Sequence, residues 1–258
     1  AAHRHAVLSL NVGACFGDTL FHEPTGSLVP FPAGSPRDGI SSLGFPFVAP
    51  PSAYSAGPAA VASHGSDTLV AWPATVVPAI GTGFPVMVGL WVDAAGSGTQ
   101  FDLGTARVVI GSVPLVASTE VVAGPTTFLV AWADRATDVA TTATQIRGRR
   151  VTHAGGPLEP DGGVLLASAT GTIERGPVAV FDGNGWLLAW TELIGSNREL
   201  RAVGLREDGT LLDATPRILA SGVTDDQPAI ASAVTGQVIL LFARPDVGGA
   251  KAVVTMVT

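Results

Sequence analysis

Two carboxylates stand at matching places in this chain. Asp134 follows Trp132 by two residues, and Glu192 follows Trp190 by two. Two acids held over one cleft can act as proton donor and base in glycoside hydrolysis, which is the chemistry this pair suggests. After Trp72 and Phe242 the same position holds Ala74 and Arg244, so the acids form no complete set. Further charges gather near them: Arg135, Glu174, Asp225, Asp226, Arg244 and Asp246. Charged loops on a rigid scaffold serve recognition, and they are also the ordinary way a surface is solvated.

Other chemistries have thinner support. His3 with the first amine and two backbone amides would offer a square-planar nitrogen set for copper if Ala1 were a true terminus. An arbitrary chain boundary is the simpler account, and no metal or cofactor is expected. Cys15 is the only cysteine, which excludes an internal disulfide and multi-cysteine metal sites. Val12-Gly13-Ala14-Cys15 has the outline of a lipoprotein cleavage box, behind an apolar run too short for a usual signal core. Gly81-Thr82-Gly83 lacks the lysine and following helix of a phosphate loop. Asp182-Gly183-Asn184-Gly185 lacks the later acids of a calcium loop and reads as a hairpin turn.

These residues need elements to position them. Of 258 residues, 47% are hydrophobic and 14% charged, with 32 Gly and 19 Pro. Such a chain has apolar surface enough to fold, and its Gly and Pro suit turns between short strands better than helices. The net charge is −7 and Lys251 is the only lysine. Nucleic acid is therefore not an expected partner, since phosphate contacts need clustered cations. No apolar run reaches the length of a membrane span.

The strongest signal is repetition. Thr68-Leu69-Val70-Ala71-Trp72 recurs as Phe128-Leu129-Val130-Ala131-Trp132, as Trp186-Leu187-Leu188-Ala189-Trp190 and, more weakly, as Ile239-Leu240-Leu241-Phe242. A proline-led run precedes each, at Pro58 to Ala62, Pro114 to Ala117, Pro177 to Val180 and Pro228 to Ala231. The copy at Pro114 lies farther from its Trp, which predicts a longer turn there. A third run, Ile146 to Gly155, aligns without gaps on Leu200 to Gly209 and more loosely on Met87 to Gly96. A fourth falls at Gly163 to Ser168, Pro216 to Ser221, Ala106 to Ser112 and Gly44 to Pro50.

Four short strands per repeat, here A to D, predict an all-β fold of tandem four-stranded antiparallel sheets, the blades of a β-propeller. Residues 1–258 read as one domain: four clear repeats over 58–258 and a degenerate first blade over 1–57. The last repeat stops after Ala252 to Val257, and Ala6 to Leu10 has the look of its missing fourth strand. The expectation is five blades closed by that N-terminal strand, with four blades plus an N-terminal elaboration as the alternative.

The pattern of Pro-x-Val-Ala, Leu-Val-Ala-Trp and Ile-Arg-Gly-Arg-Arg-Val with a closing Gly resembles the tandem propeller repeats of secreted and surface bacterial proteins. That resemblance implies the fold and little about activity. The leading expectation is an exported binding or scaffold module, extracellular or periplasmic and open to surface attachment. It would present its loop-lined face to a glycan or protein partner. The alternatives are a glycoside hydrolase using rim carboxylates and a structural subunit of a larger assembly. A non-enzyme is favoured over an enzyme at this level.

Overall fold

The computed structural model describes residues 4–12, 22–30, 53–56, 60–77, 84–92, 98–105, 119–134, 142–160, 162–224 and 227–257. Among these, the only regular element is the β-strand, and all pairings are antiparallel. The fold is all-β, as the repeat predicts.

The four Trp- or Phe-ended repeats each form one sheet. The first contains β3 (Ala53–Ala56), β4 (Ala60–His64), β5 (Asp67–Val77), β6 (Phe84–Val92) and β7 (Gly98–Thr105). The second contains β8 (Thr119–Ala123), β9 (Thr127–Asp134), β10 (Gln145–Thr152) and β11 (Val164–Ser168). The third contains β12 (Thr172–Phe181), β13 (Gly185–Ile194), β14 (Asn197–Arg206) and β15 (Arg217–Ser221). The fourth contains β16 (Ala229–Val234), β17 (Gln237–Asp246) and β18 (Gly249–Val257). At the N-terminus β1 (Arg4–Val12) and β2 (His22–Pro30) form a two-stranded ribbon.

The stacking follows from the period of a strand. In β13, Trp186, Leu188 and Trp190 point back into a core shared with the second sheet. Leu187 and Ala189, one residue out of phase, point forward into a core shared with the fourth. In β9, Phe128, Val130 and Trp132 likewise face the first sheet, while Leu129 and Ala131 face the third. Successive side chains leave a strand on opposite faces, so a strand between two sheets must be apolar on both. This explains why the Leu-Val-Ala-Trp segment is a continuous apolar run. The A strands β4, β8, β12 and β16 lie side by side in that order, as the inner edges of blades do around an axis.

Three expectations need correction. The A strand of the second sheet is Thr119–Ala123, not Pro114 to Ala117, and its turn is short because Ala123 pairs directly with Phe128. Val121 and Val122 supply the β-branched pair that suits an inner strand facing two cores. The D strand of the first sheet is Gly98–Thr105, not Ala106 to Ser112; its polar Gly98-Thr99-Gln100 start hides it. The strand at Ala6 to Leu10 exists within β1, but it pairs with β2 over nine residues and not with β18. Of the degenerate first blade and closing strand expected over residues 1–57, the structure describes β1, β2 and β3; the rest, Gly44 to Pro50 included, lies outside the described residues.

Glycine is required where the second sheet turns from β10 to β11. Gly163 has φ +64°, and a Cβ there would sit 2.5 Å from the carbonyl oxygen of Gly148 and 2.7 Å from the Trp132 ring. Both atoms belong to the packed interior of the sheet. Gly163→Ala is expected to lower unfolding free energy by about 1–3 kcal/mol in urea denaturation. An unchanged midpoint would show that this turn is not held against Trp132.

Candidate functional site

The matched carboxylates Asp134 and Glu192 end the B strands β9 and β13, and both are buried, at 5% and 0% exposure. Glu192 Oε1 accepts from the backbone N–H of Thr170 at 2.7 Å, from the Thr170 hydroxyl at 2.8 Å and from the Gly171 N–H at 2.7 Å. Its Oε2 accepts from Trp190 Nε1 at 3.4 Å and lies 3.5 Å from Arg201 Nε. Thr170 and Gly171 form the loop that carries the chain from the second sheet into the third. Glu192 thus holds that loop by capping its backbone donors. Asp134 lies 3.7 Å from Arg147 Nε. Arg147 and Arg201 occupy the same register position, opposite Trp132 and Trp190. The acid–arginine pair therefore repeats with the sheets and ties strand B to strand C in each.

Among the described residues, the remaining rim charges sit in separate sheets and turns. Glu174 is bound by Arg198 at 2.6 Å, within the third sheet. Arg244 stands over the Phe242 ring at 5.6 Å, within the fourth. Asp246 accepts from the Val247 N–H at the β17–β18 turn. Arg135, Asp225 and Asp226 lie outside the described residues, as do His3 and Cys15. Asp182-Gly183-Asn184-Gly185 is a hairpin turn, with Asp182 Oδ1 accepting from the N–H groups of Asn184 and Gly185. Among the described residues no His, Cys, Asp and Glu cluster has the makings of a metal site. Nor is any helix long and apolar enough to cross a membrane.

The opposite rim carries contacts between sheets. Thr126, in the A–B turn of the second sheet, donates its hydroxyl to Glu207 of the third at 2.7 Å. One sheet earlier, the place of Glu207 is taken by His153, which stacks on His64 from the first sheet with ring centroids 4.1 Å apart. His153 also meets the Phe128 ring, and its Nε2 is buried without a hydrogen-bond partner. Burial, then the like charge of His64, hold its pKa below the ordinary 6.5, against weaker pulls from Asp67, a Gly124 backbone contact and Glu207.

One acid was not singled out from the sequence. Glu120 lies on β8, the inner strand of the second sheet, paired with Ala131. The equivalent register positions are Ala60, Val178 and Ala229, so Glu120 is the one acid at this level of the inner strands among the described residues. It shares a face with Val122, which packs toward the third sheet. It lies toward the start of β8, the end that carries the B–C and D–A loops. Burial raises its pKa from 4.5 to about 7, and no ion-pair or hydrogen-bond partner accompanies it among the described residues. A legible signal did exist: Thr-Glu-Val-Val-Ala followed by a Gly124-Pro125 turn places an acid inside an inner strand.

No family model and no curated protein matches the chain by sequence. Solved structures do resemble it. A GH43 endo-arabinanase from Bacillus licheniformis is 12% identical with a TM-score of 0.38, over 97% of this chain and 89% of that one. An exo-1,5-alpha-L-arabinanase from a bovine ruminal metagenomic library is 10% identical with a TM-score of 0.41, over 98% and 89%. A glycosyl hydrolase from Bacteroides ovatus is 12% identical with a TM-score of 0.39, over 97% and 80%. Likeness at this level carries no argument about activity.

Two outcomes follow from these contacts. Glu192→Ala strands three part-buried donors and Arg201, and it is expected to cost about 2–4 kcal/mol of stability; a loss below about 0.5 kcal/mol would show that the carboxylate does not hold the loop. Because the folded state holds His153 below its unfolded pKa, its contribution is complete above pH 6.5 and is lost as pH falls through the folded value. His153→Phe should therefore lose less stability than the wild type between about pH 7.5 and pH 5, by denaturant titration at each pH. Equal losses would remove His153 from the account.

Proposed function

We propose that the protein acts on a glycan at the loop-bearing end of its inner strands, as a glycoside hydrolase whose proton donor is Glu120. The observation that carries this reading is the half-buried carboxyl of Glu120 on the inner strand β8, without a cationic partner among the described residues and with its pKa pushed up to about 7 by burial. A general acid must hold its proton near neutral pH and release it to the leaving oxygen, and burial without a cationic partner is the usual way to arrange this. Inverting and retaining hydrolases both need a second carboxylate across the scissile bond. Asp225 and Asp226, which precede the inner strand β16, are the acids we assign to that search. Export to an extracellular or periplasmic site belongs to the same proposal.

A second reading has its own observation. Asp134, Glu174, Glu192 and Glu199 are each paired with an arginine, so the described rim holds few carboxylates available for turnover. This favours a module that binds a glycan or protein partner without cleaving it.

Reducing-sugar release from a panel of polysaccharides, with binding measured in parallel, separates the two. Under the first reading the wild type cleaves at least one polymer, and Glu120→Gln lowers kcat by about 10²–10⁴-fold while binding persists. Since the acid must be protonated, kcat should fall as pH rises through about 7. Binding with no cleavage by the wild type supports the second reading.

A further inference from the structure

A cavity of about 250 Å³ opens between the third and fourth sheets, on the rim of the A–B turns and away from the end that carries Glu120. The repeat explains why it is there. Trp91, Arg150 and Gly204 hold one register position on the C strands, paired with Leu69, Leu129 and Leu187 in turn. The two large side chains reach forward over the next sheet. A Cβ on Gly155 would lie 3.0 Å from the Trp91 ring, and a Cβ on Gly209 would lie 2.8 Å from the Arg150 guanidinium. Gly204 has no side chain to send toward the fourth sheet. Phe128, Trp186 and Val238 hold a second position, on the backward-facing side of the B strands, paired with Val151, Leu205 and Val257. The third-to-fourth interface thus has a glycine and a valine where the earlier interfaces have two large side chains each, and the cavity stands in their place.

The polar groups around it are those of a guanidinium site. Glu159 and Asp213 are equivalent: each accepts from a C-strand N–H, that of Arg150 at 2.6 Å and that of Gly204 at 2.7 Å. In the second sheet the other oxygen of Glu159 binds the Arg150 guanidinium, which also donates to the Glu207 carbonyl of the third sheet at 2.5 Å. The third sheet keeps the carboxylate and lacks the guanidinium. Asp213 Oδ1 instead lies 3.2 Å from Nε of Arg217, a side chain 43% exposed. Asp182 adds a second carboxylate where the second sheet has Gly124; both donate their N–H to the carbonyl three residues on, in Gly185 and Thr127. Two acids and one arginine line the cavity beside the apolar Leu187 and Val238, which leaves it a net negative charge. We propose that this cavity binds a guanidinium group on a short alkyl chain, carried by a small molecule or by an arginine side chain. The group donates to Asp213 Oδ1 as Arg150 donates to Glu159, and Arg217 swings out to solvent. The alkyl chain lies on Leu187 and Val238. A volume below the roughly 300–1,000 Å³ of drug-sized sites limits the ligand to this scale.

The test titrates the full chain with propylguanidinium, by calorimetry and by ¹⁵N–¹H spectra. Saturable one-to-one binding is expected, with the Gly185, Gly204 and Gly236 amides shifting and those of Gly148 and Gly163 unmoved. Neutral propylurea, nearly the same shape, should bind at least about tenfold more weakly. Gly204→Arg supplies the missing side chain from within and should abolish binding. Its Cβ would lie 3.0 Å from the exposed Leu212, which must yield slightly, as Leu158 does beside Arg150. If that variant does not fold, the amide shifts of the wild type decide the site alone. An acetylated Ala-Arg-Ala amide separates the two sources: binding as tight as that of propylguanidinium means an arginine side chain, and exclusion means a free small molecule. Three results overturn the proposal. The first is no saturable binding up to about 10 mM. The second is amide shifts confined to other residues, or binding that survives in a folded Gly204→Arg chain, either of which moves the cation elsewhere. The third is equal binding of propylurea, which shows that no charge is read.

Discussion

Everything in this molecule depends on a strand that must be apolar on both faces. The B strands β9 and β13 are central in their sheets and central between sheets, so their apolar residues from Phe128 to Ala133 and from Trp186 to Trp190 have no solvent side to turn to. Burial at about 25 cal/mol per Å² makes each such apolar run stabilising on both faces of its blade. It also forbids a lone sheet. One sheet leaves half of each B strand in water, and only a neighbour on each side removes that cost. The order of the inner strands around the axis follows from this requirement.

Charge is placed where that packing leaves room. Asp134 and Glu192 come at the ends of B strands, where the apolar run stops, and each finds an arginine on the adjacent C strand. Removing either partner of such a pair would leave an uncompensated buried charge, so these groups bind the scaffold together and are not free to serve a ligand. Glu120 differs because it lies within an inner strand, where packing supplies no counter-charge, and desolvation alone shifts it. The same low-dielectric setting that makes an unpaired acid costly makes it able to hold a proton near neutral pH.

The repeat was legible because packing dictates it. Leu-Val-Ala-Trp recurs since every B strand meets the same two neighbours, and the Arg147 and Arg201 alignment held since both stand opposite a Trp. What was not legible came from elements with weak composition. Thr119–Ala123 and Gly98–Thr105 carry no aromatic anchor other than Phe101, and their pairing is set by register with a stronger neighbour. The charged residues are hard to read for a related reason. Equivalent positions in a repeat recur by geometry, so matched acids such as Asp134 and Glu192 mark a shared structural contact as readily as a shared active site. The acid without an equivalent, Glu120, is the one the scaffold does not explain.

The central claim is that the inner strand β8 holds a carboxyl whose pKa burial raises to about 7. A site-resolved ¹³C titration of Glu120, assigned by comparison with Glu120→Gln, tests it most directly. The expected midpoint is about 7, raised from 4.5 by burial. A midpoint at the ordinary value would mean that Glu120 is solvated and ionised, and would contradict the role assigned to it.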